Sequence, residues 1–230
     1  MKRITLSLLV LMTWSLVAQA KKDTTFIEPK YQLRFNFGQH YRNNADLASV
    51  YSSLNVPNPA TRGRGFGIEL LAFDINDDYH GGFGYQIAQW EQSTNQYAVR
   101  LRAKSSYVFT QTTLWAKGQF ELNASARFGL QWFQLNVDDY SDQSTKPLGQ
   151  VLAESNFTRE VYTMPRLMAG LSTHFSYRYK QHWKLLLQPN YMFRAGSTKW
   201  EGFMGRDLTG PIMNRHMFGI ELGLVYLVLE

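Results

Sequence analysis

From residue 30 onward, apolar and polar side chains alternate one by one along the chain. Strict alternation is typical of a β-strand with one apolar and one polar face, because successive side chains point to opposite sides of the strand. In residues 183–194, for example, Leu185 and Leu187 share one face, whereas Lys184 and Gln188 share the other. The pattern therefore predicts an all-β protein.

The alternating stretches divide the chain into eight predicted strands. Their connectors alternate between short turns and longer loops, so that every second connection is tight. This rhythm is typical of an eight-stranded antiparallel up-and-down transmembrane β-barrel, with short turns at one end and long loops at the other. The strands are predicted at residues 30–42, 63–75, 79–91, 97–115, 120–138, 159–178, 183–195 and 214–229, and the long loops at 43–62, 139–158 and 196–213.

Aromatic residues recur at a spacing that suits the wall of such a barrel. They make up 15% of the chain, although the mean hydropathy is slightly negative at −0.32. Eight residues at about 3.3 Å, tilted by about 45°, cover roughly 19 Å of the membrane normal, so paired rings would lie near both edges of an apolar band of about 25 Å. The predicted aromatic girdle consists of the pairs Tyr107 and Trp115, Phe120 and Phe128, Trp183 and Tyr191, and Phe218 and Tyr226.

The amino terminus has the organisation of an export signal. Lys2 and Arg3 precede the apolar run 4–17, and Ala18 and Ala20 form a small-residue cleavage site. We expect residues 1–20 to be a secretory signal peptide, 21–29 a short periplasmic segment, and 30–230 the barrel. The chain has no cysteine, so disulfides do not stabilise the exported protein.

With these features the chain resembles the small eight-stranded outer-membrane barrels of Gram-negative bacteria, such as the OmpA transmembrane domain and OmpW-like proteins, and more loosely the barrel-domain proteins of Bacteroidetes. The resemblance rests on the signal peptide, the four hairpins and the aromatic spacing between Lys30 and Glu230. It implies a place in the outer membrane with both termini in the periplasm. The partners it implies are outer-membrane lipid, lipopolysaccharide and the barrel insertion machinery.

Charged residues on the inward face predict a filled interior. An eight-stranded barrel is just wide enough to be packed with its own side chains, and an unpaired buried charge costs several kcal/mol. We therefore expect the inward charges to neutralise one another and to close the lumen, with a gated polar path as the alternative. The predicted lumen network consists of Arg34, Glu69, Arg100, Arg102, Arg127, Arg166 and Glu221.

One motif raises the hypothesis of an enzyme. His174 and Ser176 lie on one face of the sixth predicted strand, and the pair is similar to the His and Ser of the lipid A deacylases. In that family an acid follows on the next strand, where this chain offers Gln188 and Asn190. Without an acid to orient the histidine, the motif favours two polar lumen residues over a catalytic pair.

Other chemistry is not indicated by the sequence. The formal net charge is +6, without any run of five like charges, so no nucleic-acid partner is expected. His40, His80, His182 and His216 are scattered rather than clustered, and no metal site, cofactor or catalytic residue is predicted.

Two hypotheses about function remain open at this stage. The first is a non-enzymatic surface barrel whose long loops contact the envelope or a partner, since loops on a rigid scaffold commonly carry recognition. The second is a barrel that binds or takes up a small apolar molecule through a lateral opening. The second is favoured by inward-facing apolar residues, namely Met164, Met168, Leu186 and Met192.

Overall fold

The computed structural model describes residues 31–53, 56, 60–76, 79–95, 97–139, 158–196, 199–201, 207–208 and 212–228. The predicted signal peptide, the segment 21–29 and most of the predicted loop 139–158 lie outside these residues.

Eleven strands and one short helical segment make up the described part of the chain. The helical segment is a 3-10 turn at Ala45–Leu47 that runs into the helix α1 at Ala48–Ser53. The strands are β1 (Tyr31–Tyr41), β2 (Arg62–Asn76), β3 (Tyr79–Ser93), β4 (Tyr97–Lys117), β5 (Phe120–Asp139), β6 (Thr158–Thr163), β7 (Arg166–Lys180), β8 (Trp183–Arg194), β9 (Trp200–Glu201), β10 (Asp207–Leu208) and β11 (His216–Val228).

Eight of these strands form a closed antiparallel barrel in the order β1, β2, β3, β4, β5, β7, β8, β11. The barrel closes where β11 pairs with β1 along its whole length, from Tyr31↔Val228 to Tyr41↔Phe218. The prediction of an eight-stranded antiparallel up-and-down barrel is confirmed. The first barrel strand begins and the last one ends at the rim that carries the short turns, which we call the short-turn end.

The predicted strand 159–178 is divided into β6 and β7. β6 pairs with the far end of β5 at Gln134↔Tyr162, and β7 pairs with the rest of β5 from Gln131↔Arg166 onward. Between these two pairs β5 has two residues, whereas the chain from β6 to β7 has three. The extra residue forms a bulge at Met164 and Pro165. Proline has no N–H to donate to a ladder, so a bulge is a place where a strand tolerates it.

The outer face of the barrel carries a broad apolar belt. On β11, Phe218, Ile220 and Leu222 point outward and are 42%, 44% and 66% exposed. Large exposed apolar side chains also cover the middle of the other barrel strands, among them Phe37, Ile68, Leu70, Phe83, Val108, Phe128, Leu130, Leu167, Leu171, Leu185 and Leu187. No helix in the described part of the chain is both long and apolar enough to cross a membrane.

The interior has two layers of different chemistry. Towards the short-turn end buried polar and charged side chains predominate, with a small apolar cluster of Leu186, Val225 and Leu227 beside them. Towards the long-loop end it is apolar, and the segment 45–53 packs into this layer through the fully buried Leu47 and Tyr51. The apolar layer includes Trp90, Val99, Leu101, Ala103, Phe133, Leu135, Met168, Met192, Trp200, Met213 and Met217.

On strand β4 the structure shows that part of the predicted inward face is wrong. Val99, Leu101 and Ala103 are buried inside the barrel, so Arg100 and Arg102, predicted in the lumen, point outward. Alternation alone does not say which face is inside. At the long-loop end of this barrel the inner face of the wall is apolar and the outer face is polar. This is the reverse of the arrangement expected in a lipid-facing segment.

On the same strand, one member of the predicted aromatic girdle lies on the inner face instead of the outer one. Tyr107 points into the barrel, whereas Trp115, eight residues further on, points outward. A bulge between Thr113 and Trp115 shifts the alternation by one position, so residues at an even spacing end on opposite faces. Gly84 makes room for Tyr107, because a Cβ at that glycine would collide with the tyrosine ring.

Candidate functional site in the barrel interior

A buried carboxylate, Glu69, lies at the centre of the polar layer. Its Oε1 accepts hydrogen bonds from Arg127 Nη2 at 2.6 Å and from the Tyr107 hydroxyl at 2.9 Å. Arg34 Nη1 lies 3.5 Å from the other carboxylate oxygen. All four side chains are at most 5% exposed, so strands β1, β2, β4 and β5 are tied together across the lumen.

Arg34 extends this network to a histidine and a serine. Its Nη1 lies 3.2 Å from His174 Nδ1, and its Nη2 donates to Gln111 Oε1 at 2.5 Å. His174 Nε2 in turn lies 3.0 Å from Ser172 Oγ. A guanidinium can only donate, so Nδ1 must accept and a neutral His174 carries its proton on Nε2, facing Ser172.

A second buried cluster lies nearer the long-loop end. Glu221 accepts a hydrogen bond from Gln86 Nε2, and His40 Nε2 lies 3.3 Å from Glu221 Oε1. The His40 ring is fully buried. Gly65 and Gly219 flank this ring, and a Cβ at either position would meet it at less than normal contact distance. These glycines therefore allow an imidazole to lie across the barrel.

A third ion pair lies near the short-turn end. Lys184 Nζ contacts both carboxylate oxygens of Glu121, at 2.7 and 2.6 Å. Lys184 is buried, and Arg178 lies close enough to contribute its charge to the same pair. Ionic contacts thus extend from the centre of the barrel towards this rim.

At the opposite end, the segment 45–53 is held over the barrel mouth. Arg42 Nη2 donates to Asp46 Oδ2 at 2.9 Å and to the carbonyl of Asn214 at 3.3 Å. The guanidinium carbons of Arg42 and Arg194 lie 4.8 and 5.2 Å from the centroid of the Phe133 ring. Burial raises the pKa of Tyr51 to about 12, so a neutral phenol enters the apolar layer.

The predicted lumen network is only partly assembled. Arg34, Glu69, Arg127 and Glu221 are buried in the polar layer, whereas Arg166 lies at the long-loop end beside Gly196. The other two predicted members are on the outer wall, where Arg100 contacts Asp138 and Glu91, and Arg102 Nε donates to Gln89 Oε1 at 2.8 Å.

The remaining members of the predicted aromatic girdle lie on the outer face. Trp183 is half-buried against Tyr226, with ring centroids 4.9 Å apart. The others are between 37% and 56% exposed: Trp115, Phe120, Phe128, Tyr191, Phe218 and Tyr226.

Sequence reasoning missed several polar members of the interior. These side chains contact buried charged groups that lie on other strands, and they are His40, Gln86, Tyr107 and Gln111. Glycines at ladder positions beside them were the available signal, because Gly65 and Gly84 mark places where a large neighbouring side chain crosses the wall.

The predicted pair His174 and Ser176 is not joined in the structure. Both side chains are buried in the lumen, but the hydroxyl at His174 is that of Ser172. His174 presents its proton to this hydroxyl and has Arg34, rather than a carboxylate, at its other nitrogen. The arrangement lacks the base that activates a serine nucleophile. The described residues contain no cluster of three or more metal-ligating side chains.

The barrel wall is interrupted between β7 and β8. The ladder pairs Ser172 with Asn190 and Phe175 with Leu187, but the two intervening positions are unpaired, and Pro189 has no N–H to offer there. The side-chain amides of Gln188 and Asn190 are buried, and neither has a hydrogen-bond partner among the described residues.

A groove of about 330 Å³ opens over this interruption on the outer face. Asn190, Ser125 and Ser172 lie at its inner side, and small outward side chains leave the space open, namely Thr110, Thr112, Ala124, Ala126 and Thr173.

No protein-family model matches the chain, and no curated protein matches it in sequence. Solved structures, however, are similar to it. Neisserial surface protein A aligns with a TM-score of 0.50 at 12% identity, over 86% of this chain and 97% of that one. A major outer membrane protein from Thermus thermophilus aligns with a TM-score of 0.50 at 8% identity, over 85% of this chain and 98% of that one. The chain has the fold of a small outer-membrane β-barrel. At these identities the likeness concerns the fold alone.

Replacing Glu69 by glutamine is expected to destabilise the barrel strongly. The substitution keeps the shape of the side chain but leaves Arg34 and Arg127 buried without their shared carboxylate, at a cost of about 3–5 kcal/mol. Urea-induced unfolding in lipid vesicles measures the change in the free energy of unfolding.

Glu91→Gln is the matched control for this measurement. Glu91 is half-exposed on the outer wall, with Arg100 Nε 3.7 Å away. Its loss is therefore expected to cost at most about 1 kcal/mol. Equal effects of the two substitutions would contradict the central role of Glu69. The double variant Glu69→Gln, Arg127→Gln is expected to recover part of the lost stability.

Proposed function

We propose that this protein is a non-enzymatic barrel of the Gram-negative outer membrane that presents its long loops at the cell surface for contact with the envelope or a partner. The observation that carries the proposal is the double closure of the lumen. A layer of buried ions around Glu69 fills one half, and an apolar layer under the segment 45–53 fills the other.

The apolar belt supports the membrane location. Side chains such as Leu222, Leu171 and Phe37 are 66%, 62% and 59% exposed, which is costly in water and favourable in hydrocarbon. Closure of the barrel satisfies the other demand of a membrane, because the ladder between β1 and β11 removes the free strand edges.

The distribution of connectors supports a surface role for the long-loop end. Short turns join β4 to β5 and β7 to β8 at one rim, and the segment 45–53 and the extension strands β6, β9 and β10 lie at the other. In outer-membrane barrels the short turns face the periplasm and the long loops face the exterior. The proposed orientation therefore places both termini in the periplasm, where the insertion machinery receives the chain.

The geometry at His174 supports a role without catalysis. Its Nε2 proton points at Ser172, and Arg34 occupies the position where a serine hydrolase has its orienting acid. We assign these three residues to the buried polar network rather than to a reaction.

A second candidate function follows from the interruption at Pro189. Small or apolar outward side chains line the groove above it, and the unpartnered amide of Asn190 lies at its inner side. This chemistry suits an amphiphile with an apolar body and one hydrogen-bonding head group. The second candidate is therefore a barrel that binds a small apolar molecule at a lateral opening.

Surface labelling tests the proposed location and orientation. The chain has no cysteine, so one introduced cysteine gives a single site. We expect Asn95→Cys, exposed between β3 and β4, to react with a membrane-impermeant maleimide on intact cells. Gln119→Cys, exposed in the turn between β4 and β5, is expected to react only after the outer membrane is permeabilised. The reverse pattern, or labelling of both sites in a soluble periplasmic fraction, would refute the proposal.

Planar-bilayer recordings test closure of the lumen. The wild type is expected to form no large, stable pore, because buried ions and the apolar layer both block the path. Leu47→Asp with Tyr51→Asp is expected to release the segment 45–53 and still leave the barrel closed, since the ionic layer around Glu69 is intact. Regular conductance in the range of a porin refolded in the same lipid would show that the interior is open.

Binding of a fluorescent amphiphile, a dansyl-labelled fatty acid, tests the second candidate. Ala126→Phe fills the groove and is expected to abolish saturable binding. Ala169→Phe, on the same outer face but outside the groove, is the matched control and is expected to bind like the wild type. Equal binding by both variants would place the probe elsewhere, in the surrounding detergent or lipid.

A further inference from the structure

The outer wall at the long-loop end of β2, β3 and β4 carries a group of basic side chains at successive outward positions. We call it the basic patch, and it consists of Arg62, Arg64, Arg100, Arg102 and Lys104. Along the same outward rows towards the short-turn end, the side chains become apolar at Phe66, Ile87 and Val108. The basic patch therefore borders the apolar belt directly.

The cations of the basic patch exceed the carboxylates beside them. Glu91 and Asp138 both contact Arg100. Glu160, on β6, lies close enough to Lys104 for an electrostatic interaction between the two charges. Arg102 donates to the neutral side chain of Gln89. Neither Arg62 nor Arg64 has a carboxylate of a described residue within ion-pair distance. Within the described part of the chain, five cations thus face three carboxylates, and the excess positive charge lies on β2 and β4.

A groove of about 650 Å³ runs between β2 and β3 within the basic patch. Arg62 and Arg64 line one side, Gln89 and Glu91 line the other, and Phe66 and Ile87 line it as well. The groove thus combines guanidinium donors with apolar side chains that belong to the belt. An anionic head group with an attached acyl chain matches this combination, whereas a soluble anion would use only the polar part.

The width of the basic patch indicates more than one anionic group. Arg64 pairs with Gln89, and Gln89 pairs with Arg102, so the two arginines are two strand spacings apart. At about 4.8 Å per spacing their backbones are roughly 10 Å apart. A guanidinium fork binds one phosphate in a bidentate manner, so separate forks at this distance suit two phosphates.

We propose that the basic patch binds a membrane glycolipid whose head group carries two phosphates, with its acyl chains against Phe66 and Ile87. This inference rests on the proposed place of the protein in the outer membrane, with the long-loop end facing outward. Arg64, Arg102 and Lys104 bind the phosphates at the level where the apolar belt ends.

Native mass spectrometry of the refolded full-length barrel tests the proposal. Diphosphoryl lipid A and phosphatidylglycerol are supplied at equal concentration, and the fraction of protein carrying each lipid is measured. The wild type is expected to prefer diphosphoryl lipid A. The variant Arg64→Gln, Arg102→Gln, Lys104→Gln is expected to lose this adduct by at least about tenfold, because each basic residue near an anionic surface contributes favourably.

Lys117→Gln is the matched control, because Lys117 is an exposed lysine at the other end of the same strand. It is expected to retain the adduct. Equal adducts in the triple variant and the wild type would overturn the proposal, and so would equal occupancy by the two lipids in the wild type alone. The wild-type comparison decides the question even where the triple variant does not refold.

Competition by inorganic pyrophosphate separates the lipid from a free anion. If pyrophosphate displaces the glycolipid at equal concentration, the site recognises phosphate without its acyl chains and the proposal is wrong. Surface labelling at Asn95 and Gln119 is independent of this result. Normal labelling with no lipid preference would reject the lipid site and leave the proposed function standing, whereas failed labelling would reject both.

Discussion

The continuous ladder between β1 and β11 is the constraint on which the rest of this structure depends. It pairs eleven residues of the first barrel strand with eleven of the last, so the sheet has no free edge along its wall. Without water to satisfy backbone groups, a closed ladder is the way in which strands are stable in hydrocarbon. Closure also fixes the circumference, and an eight-stranded circumference leaves an interior that side chains must fill.

Filling that interior decides where the charges lie. Glu69 is shared by Arg34 and Arg127, and Tyr107 adds a neutral donor to the same oxygen as Arg127. Removing one partner from such a buried group is costly because the remaining charge keeps its desolvation penalty. The apolar layer above it needs no such pairing, and there Leu47 and Tyr51 pack against Met and aromatic side chains.

The interruption at Pro189 and the basic patch are two places where the wall departs from uniform alternation. At Pro189 the ladder is interrupted, and the buried amide of Asn190 lies at the inner side of a small groove. At the basic patch the outward face changes from apolar to cationic within one strand, as between Phe66 and Arg64. The position of the basic patch depends on where the apolar belt ends, which a single strand pattern does not define.

The alternation of residues by itself determined the antiparallel eight-stranded barrel, because a period of two and tight turns leave few other arrangements, but it did not show that the sixth predicted strand is divided into β6 and β7. It also placed Arg34, Glu69, Arg127 and Glu221 inside. Tertiary structure decided the faces of β4: the odd-numbered residues from Val99 to Gln111, Tyr107 among them, face inward, so Arg100 and Arg102 face outward, and the bulge before Trp115 puts that ring on the outer face. Alternation specifies two faces but not which one is enclosed, and that depends on the strands packed around it.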